Sequence, residues 1–174
     1  MAAVIEYLDD LEIGVCLRIN RLGQKAWIQK FFRSVSRLGD GGFWAAMALG
    51  LVLLRGVEVL PWLMQVAATA IAGVLIYKFL KHFLVRERPY ISHGEIRLGA
   101  APLDRYSFPS GHTLHAVSFT LLFCHAEPVL AVVALPFAVL VAVSRVILGL
   151  HYPSDVLVGA AIGMTLAQVS ISLA

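Results

Sequence analysis

The stretch PVLAVVALPFAVLVAVSRVILGLHYPSD, residues 128–155, joins a long apolar run to a short polar segment. Glu127 and Arg145 enclose seventeen uncharged residues, and the apolar run then continues to Leu148. A helix needs about 20 apolar residues to cross the roughly 30 Å of hydrocarbon in a bilayer. The stretch therefore predicts a membrane-spanning helix over 128–148 that ends at serine, arginine, histidine and aspartate side chains.

Four further apolar segments accompany this one. Nineteen uncharged residues form each of the segments 59–77 and 156–174, and 106–126 has histidines as its only potential charges. The segment 41–54 is shorter, because its fourteen residues cover only about 21 Å as a helix. It spans the bilayer only if Arg55 reaches the interface with its long side chain. The pattern predicts an all-α, polytopic membrane bundle of about five transmembrane helices.

The composition of the chain points to the same class. Hydrophobic residues make up 59% of the 174 residues and charged residues only 14%, whereas soluble domains carry roughly 25% charged residues. The net charge of +3 fits a phosphate-bearing lipid better than a nucleic acid in such an apolar chain. We expect 1–174 to form one membrane-embedded domain, with the bilayer as partner and no nucleic acid. Nothing in the sequence predicts an oligomeric state.

The first 38 residues, 1–38, follow a different pattern. Apolar residues recur at three- and four-residue steps with a break near Gly23, and basic residues take the other face. The apolar positions are Ile5, Leu8, Leu11, Val15, Ile19, Leu22, Trp27, Phe31, Val35 and Leu38. Two interpretations stay open, namely amphipathic helices that lie in the headgroup region, or a collar that packs on the bundle.

Three polar clusters interrupt the apolar segments, where ionisable side chains are costly and usually functional. KHFLVRERP (81–89) ends the second span, PSGH (109–112) begins the third, and SRVILGLHYPSD (144–155) joins the fourth to the fifth. The second span ends on the side where the third begins, and the fourth ends on that side again. The three clusters are therefore predicted to share one face of the membrane.

The clusters contain the groups that bind a phosphate. Lys81, Arg88 and Arg145 supply three positive charges, and arginine holds phosphate oxygens bidentately. The PSGH motif predicts a helix N-terminus, whose free N–H groups favour an anion. At this N-terminus Gly111 permits close approach to the backbone, and the hydroxyl of Ser110 adds a donor.

The same clusters contain groups for catalysis. His151 and Asp155 are four residues apart and are neighbours on a helical turn. A carboxylate that holds one ring nitrogen leaves the other nitrogen free to attack phosphorus. His112 then lies in position to protonate the leaving oxygen. The sequence offers no cluster of metal-ligating residues, so we expect no metal site and no cofactor.

With these residues the chain resembles the type 2 phosphatidic acid phosphatases, a superfamily that includes lipid phosphatases and vanadium haloperoxidases. The matching signature, within residues 78–155, is Lys81-x6-Arg88-Pro89, Pro109-Ser110-Gly111-His112 and Ser144-Arg145-x5-His151-x3-Asp155. The resemblance implies a helical bundle that cleaves a phosphate ester or diphosphate without metal, through a phosphohistidine on His151. It implies His112 as the acid and Asp155 as the residue that orients His151. It also implies the phosphate ligands Lys81, Arg88, Ser110, Gly111 and Arg145.

The lipid itself is not specified by the signature. Bacterial members act on phosphatidylglycerol phosphate, phosphatidate, undecaprenyl phosphates or lipid A, and the resemblance implies a membrane lipid phosphate as substrate. Two alternatives stay open: a vanadate-dependent haloperoxidase-like enzyme, and a non-catalytic protein that binds or transports a lipid phosphate. His115, one turn after His112, and the loop residues Arg97 and Arg105 are further candidates for substrate contacts.

Two arguments about orientation disagree. With five spans, thirteen of the fourteen Lys and Arg lie on the face of the site, which favours the cytoplasm. Three of these serve the phosphate, and the count reverses if 41–54 does not cross. Resemblance to bacterial lipid phosphatases implies the bacterial inner membrane with a periplasmic site, and we predict this orientation.

Overall fold

The computed structural model describes residues 2–174 and, within the first ten positions, the side chain of Tyr7 only. The predicted apolar positions Ile5 and Leu8 lie outside the described side chains. Helices account for 79% of the chain, and the described residues contain no strand. The prediction of an all-α protein is confirmed.

Eight α-helices follow one another within the described residues. They are α1 (Ala2–Leu22), α2 (Ala26–Arg37), α3 (Phe43–Arg55), α4 (Leu60–Phe83), α5 (Pro89–Ser92), α6 (Gly111–Ala126), α7 (Ala131–Ile147) and α8 (Pro153–Ser172). A π-helical turn, Leu38–Gly42, joins α2 to α3, and 3-10 turns, Gly56–Val59 and Pro128–Leu130, precede α4 and α7. Short helix α5 lies in the longest connection, which joins α4 to α6.

Five of these helices, α3, α4, α6, α7 and α8, run side by side between two ends of a bundle. At one end Asp40, just before α3, bonds to His112 in the first turn of α6. At the other end Arg55, the last residue of α3, forms an ion pair with Glu127 just after α6. Trp44 is buried between these ends in an aromatic cluster with α6 and α7. The short segment 41–54 therefore passes along the whole bundle.

Among the residues that the structure describes, three helical stretches are long and apolar enough to cross a membrane: Ala26–Phe83, Pro128–Ile147 and Pro153–Ser172. The first includes α2, α3 and α4 with the turns between them. Helix α6 has only 16 residues and covers about 24 Å at 1.5 Å per residue. The number of spans stays a prediction of about five.

Helices α6 and α8 pack backbone to backbone through two glycines. A Cβ at Gly159 would lie 2.5 Å from the carbonyl oxygen of Ser110, and a Cβ at Gly163 would lie 2.4 Å from that of Leu114. Neither position has room for a side chain. The close approach brings the first turns of the two helices together, and the Ser110 N–H donates to the Asp155 carbonyl oxygen at 3.0 Å.

Helices α1 and α2 lie against α7 and α8. Cys16 on α1 and Val35 on α2 are buried in this contact. Each helix also has an exposed apolar stripe, formed by Leu11, Val15 and Leu22 on α1, and by Trp27 and Phe31 on α2 with Leu38 in the turn that follows it. The buried contact fits the interpretation of a collar that packs on the bundle. The exposed apolar stripes fit helices that lie in the headgroup region, so the two interpretations are compatible.

Candidate active site

A cavity of about 540 Å³ opens at the end of the bundle where α4 ends and α6 begins. Six of the eight predicted catalytic and phosphate-binding residues line it: Lys81, Arg88, Gly111, His112, Arg145 and His151. The other two, Ser110 and Asp155, are fully buried and lie outside its lining. The structure thus brings the three polar clusters of the sequence together at one end of the molecule.

The first turn of α6 is built by the PSGH motif. Ser110 is the N-cap residue, and its hydroxyl oxygen lies 3.5 Å from the N–H of Thr113 and 3.0 Å from its hydroxyl. The ring of Tyr77 on α4 packs over Gly111, where a Cβ would lie 3.3 Å from it. The backbone at Gly111 therefore faces the cavity, whereas the Ser110 hydroxyl caps the helix.

His151 lies between Arg88 and Asp155. Its Nε2 is 3.2 Å from Arg88 Nη1, and its Nδ1 is 3.5 Å from Asp155 Oδ2, slightly beyond ordinary hydrogen-bond length. A guanidinium can only donate, so Nε2 holds the lone pair and Nδ1 carries the proton that faces the carboxylate. Burial and the charges of Arg88 and Arg145 hold the pKa of His151 well below its usual value. The imidazole is therefore neutral at physiological pH.

A buried network holds Asp155 in place. Arg86 is 2% exposed; its Nη1 donates to Asp155 Oδ1 at 2.7 Å and its Nη2 to Glu12 Oε2 at 3.0 Å. The Tyr152 N–H donates to Asp155 Oδ2 at 2.9 Å, and the Arg86 guanidinium lies 4.0 Å from the centre of the Tyr152 ring. Glu12 also accepts from the backbone and hydroxyl of Ser154, both at 2.8 Å. Helix α1 is thereby joined to the site.

A carboxylate, Asp104, bridges two of the cations. Lys81 Nζ donates to Asp104 Oδ1 and Oδ2 at 2.7 and 2.8 Å, and Arg88 Nη2 donates to Oδ1 at 2.7 Å. Burial alone would raise the pKa of Asp104, but hydrogen bonds and charges from Lys81 and Arg88 lower it below the usual value. Asp104 is therefore ionised, and its two oxygens lie where an anionic ligand would meet Lys81 and Arg88.

The end of α2 and the π-helical turn that follows it contribute two more contacts. Arg145 is buried, its Nη1 donates to the Ser36 hydroxyl, and its Nε has no hydrogen-bond partner among the described residues. His112 Nε2 is hydrogen-bonded to Asp40 Oδ1 from the π-helical turn. Gly41 follows with φ 142°, a conformation that glycine adopts at little steric cost.

Of the three further candidates for substrate contacts, only His115 lines the cavity. Its Nδ1 lies 2.9 Å from the carbonyl oxygen of Gly111. Arg97 and Arg105 are exposed outside the lining, and Arg105 Nη2 donates to Glu87 Oε1 at 3.2 Å. The structure does not bring the two arginines to the cavity.

The sequence profile of the PAP2 superfamily matches residues 62–174. This chain belongs to that superfamily. The decaprenylphosphoryl-5-phosphoribose phosphatase of Mycobacterium tuberculosis is 34% identical over 126 residues, which cover 68% of this chain and 67% of that protein. The lipid A 1-phosphatase of Rhizobium johnstonii is 33% identical over 99 residues, which cover 55% of this chain and 41% of that protein.

The fold has a close counterpart among solved structures. The crystal structure of Aquifex aeolicus LpxE superimposes with a TM-score of 0.79 at 26% identity, over 93% of this chain and 95% of that one. Membership of the PAP2 superfamily and relatives named as phosphatases make this chain a phosphoric ester hydrolase of the lipid phosphatase type. Its several apolar helices make it a multi-pass membrane protein. Neither the haloperoxidase alternative nor the non-catalytic one gains support from these relatives.

Three residues of this PAP2 site were not singled out from the sequence. Arg86 lies inside the KHFLVRERP cluster, between the predicted phosphate ligands Lys81 and Arg88. Asp104 directly precedes Arg105, a predicted substrate contact. Asp40 directly precedes the apolar segment 41–54. Its position next to a predicted span was the available signal for it. Among the described side chains, no group of three His, Cys, Asp or Glu residues could hold a metal ion.

Proposed function

We propose that this PAP2 protein hydrolyses a phosphate monoester or diphosphate of a membrane lipid through a phosphohistidine at His151. The observation that carries the proposal is the environment of His151 Nε2. This nitrogen has the lone pair of a neutral imidazole and lines a cavity together with Lys81, Arg88 and Arg145. A nucleophile surrounded by three cations suits an anionic electrophile such as phosphate.

Substrate binding requires an exchange of anions. The phosphate takes the place of the Asp104 carboxylate between Lys81 and Arg88, so that the charge on these cations stays neutralised. The partnerless Nε of Arg145 adds a donor, and the first turn of α6 adds backbone N–H groups and the positive end of its dipole. Gly111 allows the phosphate oxygens to reach this backbone.

The reaction then proceeds in two displacements. His151 Nε2 attacks phosphorus, an N–P bond forms, the P–O bond to the leaving group breaks, and His112 gives that oxygen its proton. Asp155 stabilises the imidazolium by a hydrogen bond from Nδ1 that shortens from its present 3.5 Å. In the second step His112 takes a proton from water, the water oxygen attacks phosphorus, and the N–P bond breaks to release inorganic phosphate.

The bond between Asp40 and His112 suits the proton transfer. Asp40 Oδ1 meets Nε2 of His112. An acid catalyst needs the protonated imidazole, which burial and the charge of Arg145 disfavour, and the hydrogen bond to the Asp40 carboxylate offsets part of this cost. Asp40 is thus proposed as the positioning residue for His112. Asp155 plays the corresponding role for the nucleophile, since its carboxylate positions the His151 ring.

The names of two relatives support a lipid substrate. One is a phosphatase of decaprenylphosphoryl-5-phosphoribose and another of lipid A, and both substrates are lipids that carry a phosphate. The candidates are phosphatidylglycerol phosphate, phosphatidate, undecaprenyl phosphate or diphosphate, and lipid A. The exposed apolar stripes of α1 and α2 lie next to the site and suit contact with a bilayer.

The direct test is release of inorganic phosphate from this panel by purified protein in detergent with a metal chelator present. We expect turnover of at least one lipid at the same rate with and without chelator, since three side-chain cations neutralise the phosphate. Rapid quenching under alkaline conditions should also trap phosphate bound to histidine. A chelator-sensitive enzyme restored by Mg²⁺ would contradict the mechanism, and no phosphate release from any lipid would contradict the proposed function.

We further propose that the protein lies in the bacterial inner membrane with its site facing the periplasm. Ser92 in α5 is exposed near the site and accepts a cysteine as a probe once Cys16 and Cys124 are replaced by serine. A membrane-impermeant thiol reagent should label Ser92→Cys in intact spheroplasts. Labelling only after the membrane is permeabilised would place the site in the cytoplasm.

A further inference from the structure

A second cavity, also of about 540 Å³, adjoins the first. The two share Asp40, Leu103 and His112 in their walls. The second cavity is otherwise lined by the end of α2 and by the loop residues Leu98, Gly99, Ala100 and Ala101. His112 therefore stands at the junction of the two cavities, and the group proposed to protonate the leaving oxygen faces both.

The second cavity has an excess of positive charge. Arg33 and Arg37 are one turn apart on α2, and both line it. Arg33 Nε donates to the Gly99 carbonyl oxygen at 2.8 Å, which fixes the side chain and leaves its terminal nitrogens without a hydrogen bond in the described structure. The cavity's one carboxylate within the described lining, Asp40, is already hydrogen-bonded to His112.

The position of the cavity relates it to the leaving group. In the proposed mechanism the phosphate lies at His151 and the oxygen that departs lies at His112. Whatever is attached to that oxygen therefore begins at the junction of the two cavities. The second cavity is lined there by two guanidinium groups, by small side chains and by backbone, which suits a compact anionic group better than an acyl chain.

We propose that Arg33 and Arg37 form a second anion subsite, which binds a second phosphate on the leaving group of the substrate. This inference rests on the proposed function and narrows its substrate class. The preferred substrate is a lipid with two phosphates, one that is hydrolysed and one that stays on the product, as a phosphodiester or a second monoester. A lipid with a single phosphate leaves the subsite empty.

A subsite that contacts a part of the substrate remote from the reacting bond acts mainly on KM. Charge-assisted hydrogen bonds from an arginine contribute roughly 1.5–3 kcal/mol, which corresponds to about 10- to 100-fold in affinity. The effect should be confined to substrates with the second phosphate. A substrate with one phosphate is therefore the internal control for the integrity of the site.

The experiment compares Arg37→Gln and Arg33→Gln with wild type on three substrates in the same detergent. Phosphatidylglycerol phosphate has two phosphates, whereas phosphatidate and an aryl phosphate have one each. We expect kcat/KM for phosphatidylglycerol phosphate to fall about tenfold or more, through KM, and to change less than about twofold for the others. Arg37→Gln is the cleaner variant, since the described side-chain hydrogen bonds include none from Arg37, whereas Arg33 would lose its bond to Gly99.

The matched control is Arg21→Gln, which removes the same charge from the exposed end of α1 outside both cavities. It should leave all three activities unchanged, which separates the subsite from general attraction to anionic micelles. Equal losses on all three substrates, or no loss on any, would overturn the subsite. A wild type that hydrolyses phosphatidate but not phosphatidylglycerol phosphate would overturn it too. A wild type inactive on these three but active on undecaprenyl phosphate, which has one phosphate, would overturn the subsite alone. A wild type inactive on the whole lipid panel would overturn the proposed function, and the subsite with it.

Discussion

The floor and the rim of the active-site cavity differ in how tightly they are built. The floor consists of His151, which lines the cavity, and of Arg86, Ser110 and Asp155, which support it from behind the lining. All four are at most 2% exposed. The rim carboxylates Asp40 and Asp104 have side chains that are 46% and 37% exposed. Backbone contact between α6 and α8 fixes the floor, whereas loops and turns supply the rim. The proposed nucleophile is therefore held by packing, and the groups that a substrate must displace or pass remain accessible.

The largest expected effect lies on the floor. His151→Ala should lower kcat by about 10⁴-fold or more, because no neighbouring group can replace the nucleophile. Phosphate release from the lipid measures the loss, and circular dichroism checks that the helices persist. An aryl phosphate should not restore turnover, since the attacking atom is missing. Substantial activity in this variant would assign the attack to another residue. The conclusion that the buried floor holds the nucleophile would then be wrong.

The next effect concerns stability. Arg86→Met leaves Asp155 and Glu12 buried without their cation, and breaking a buried ion pair costs about 3–5 kcal/mol. The control is Arg105→Met, which removes an exposed ion pair with Glu87 outside the cavity and should cost less than about 1 kcal/mol. Thermal unfolding in detergent compares the two. Equal shifts in Tm would show that the buried ion pairs of the floor contribute no more to stability than an exposed pair at the surface.

A smaller effect is expected for the proton donor. His112→Ala should lower kcat on a lipid phosphate by about 10²- to 10⁴-fold, the usual contribution of general acid catalysis. The loss should nearly vanish with an aryl phosphate, whose leaving oxygen needs little protonation. Asp40→Asn should show the same substrate dependence with a smaller loss, since it acts through His112. Loss of the same size on both substrates would contradict the role of His112 as acid.

The smallest expected effect is a gain in substrate affinity, whereas the other variants lose activity or stability. Asp104→Asn should lower the KM for lipid phosphate and the Ki for inorganic phosphate by up to about tenfold, because a competing charge is removed. The pKa of Asp104 is lowered, so its carboxylate competes at neutral and mildly acidic pH and ceases to compete as pH falls through that lowered pKa. The ratio of wild-type to variant KM should therefore shrink toward one on acidification. A higher KM in the variant would mean that Asp104 helps to bind the substrate.

Most of the helical framework follows from sequence because it depends on local properties. Charges at Glu58, Lys78, Glu127 and Asp155 bound apolar runs long enough for α4, α7 and α8. Sequence alone does not decide whether the segment 41–54 crosses the bilayer, because its length is the only criterion and it is short. In the structure α3 is continued by a π-helical turn into α2, and its ends are marked by contacts with α6 and Glu127 that only the tertiary structure provides.

The site divides in the same way. His151 and Asp155, and Ser110 and Thr113, are only four and three residues apart where α8 and α6 begin, so their spacing predicts contact. The partners of the three residues that sequence reasoning missed are remote. Asp40 and His112 are 72 positions apart, Arg86 and Asp155 are 69 apart, and Asp104 reaches Lys81 across 23 positions of mostly irregular chain. Charge pairs at such separations leave no periodic trace in one sequence.

The contact between Glu12 and Ser154 has a consequence for biosynthesis. The two residues are 142 positions apart, so Glu12 leaves the ribosome several seconds before its partners on α8 are made, at about 5–20 residues per second. During most of this interval α7 and α8, against which α1 packs, have not been made, and Arg86 is synthesised before the aspartate that it will bind. The phosphatase centre therefore closes as one of the last events of assembly, after the helices that surround it have entered the membrane.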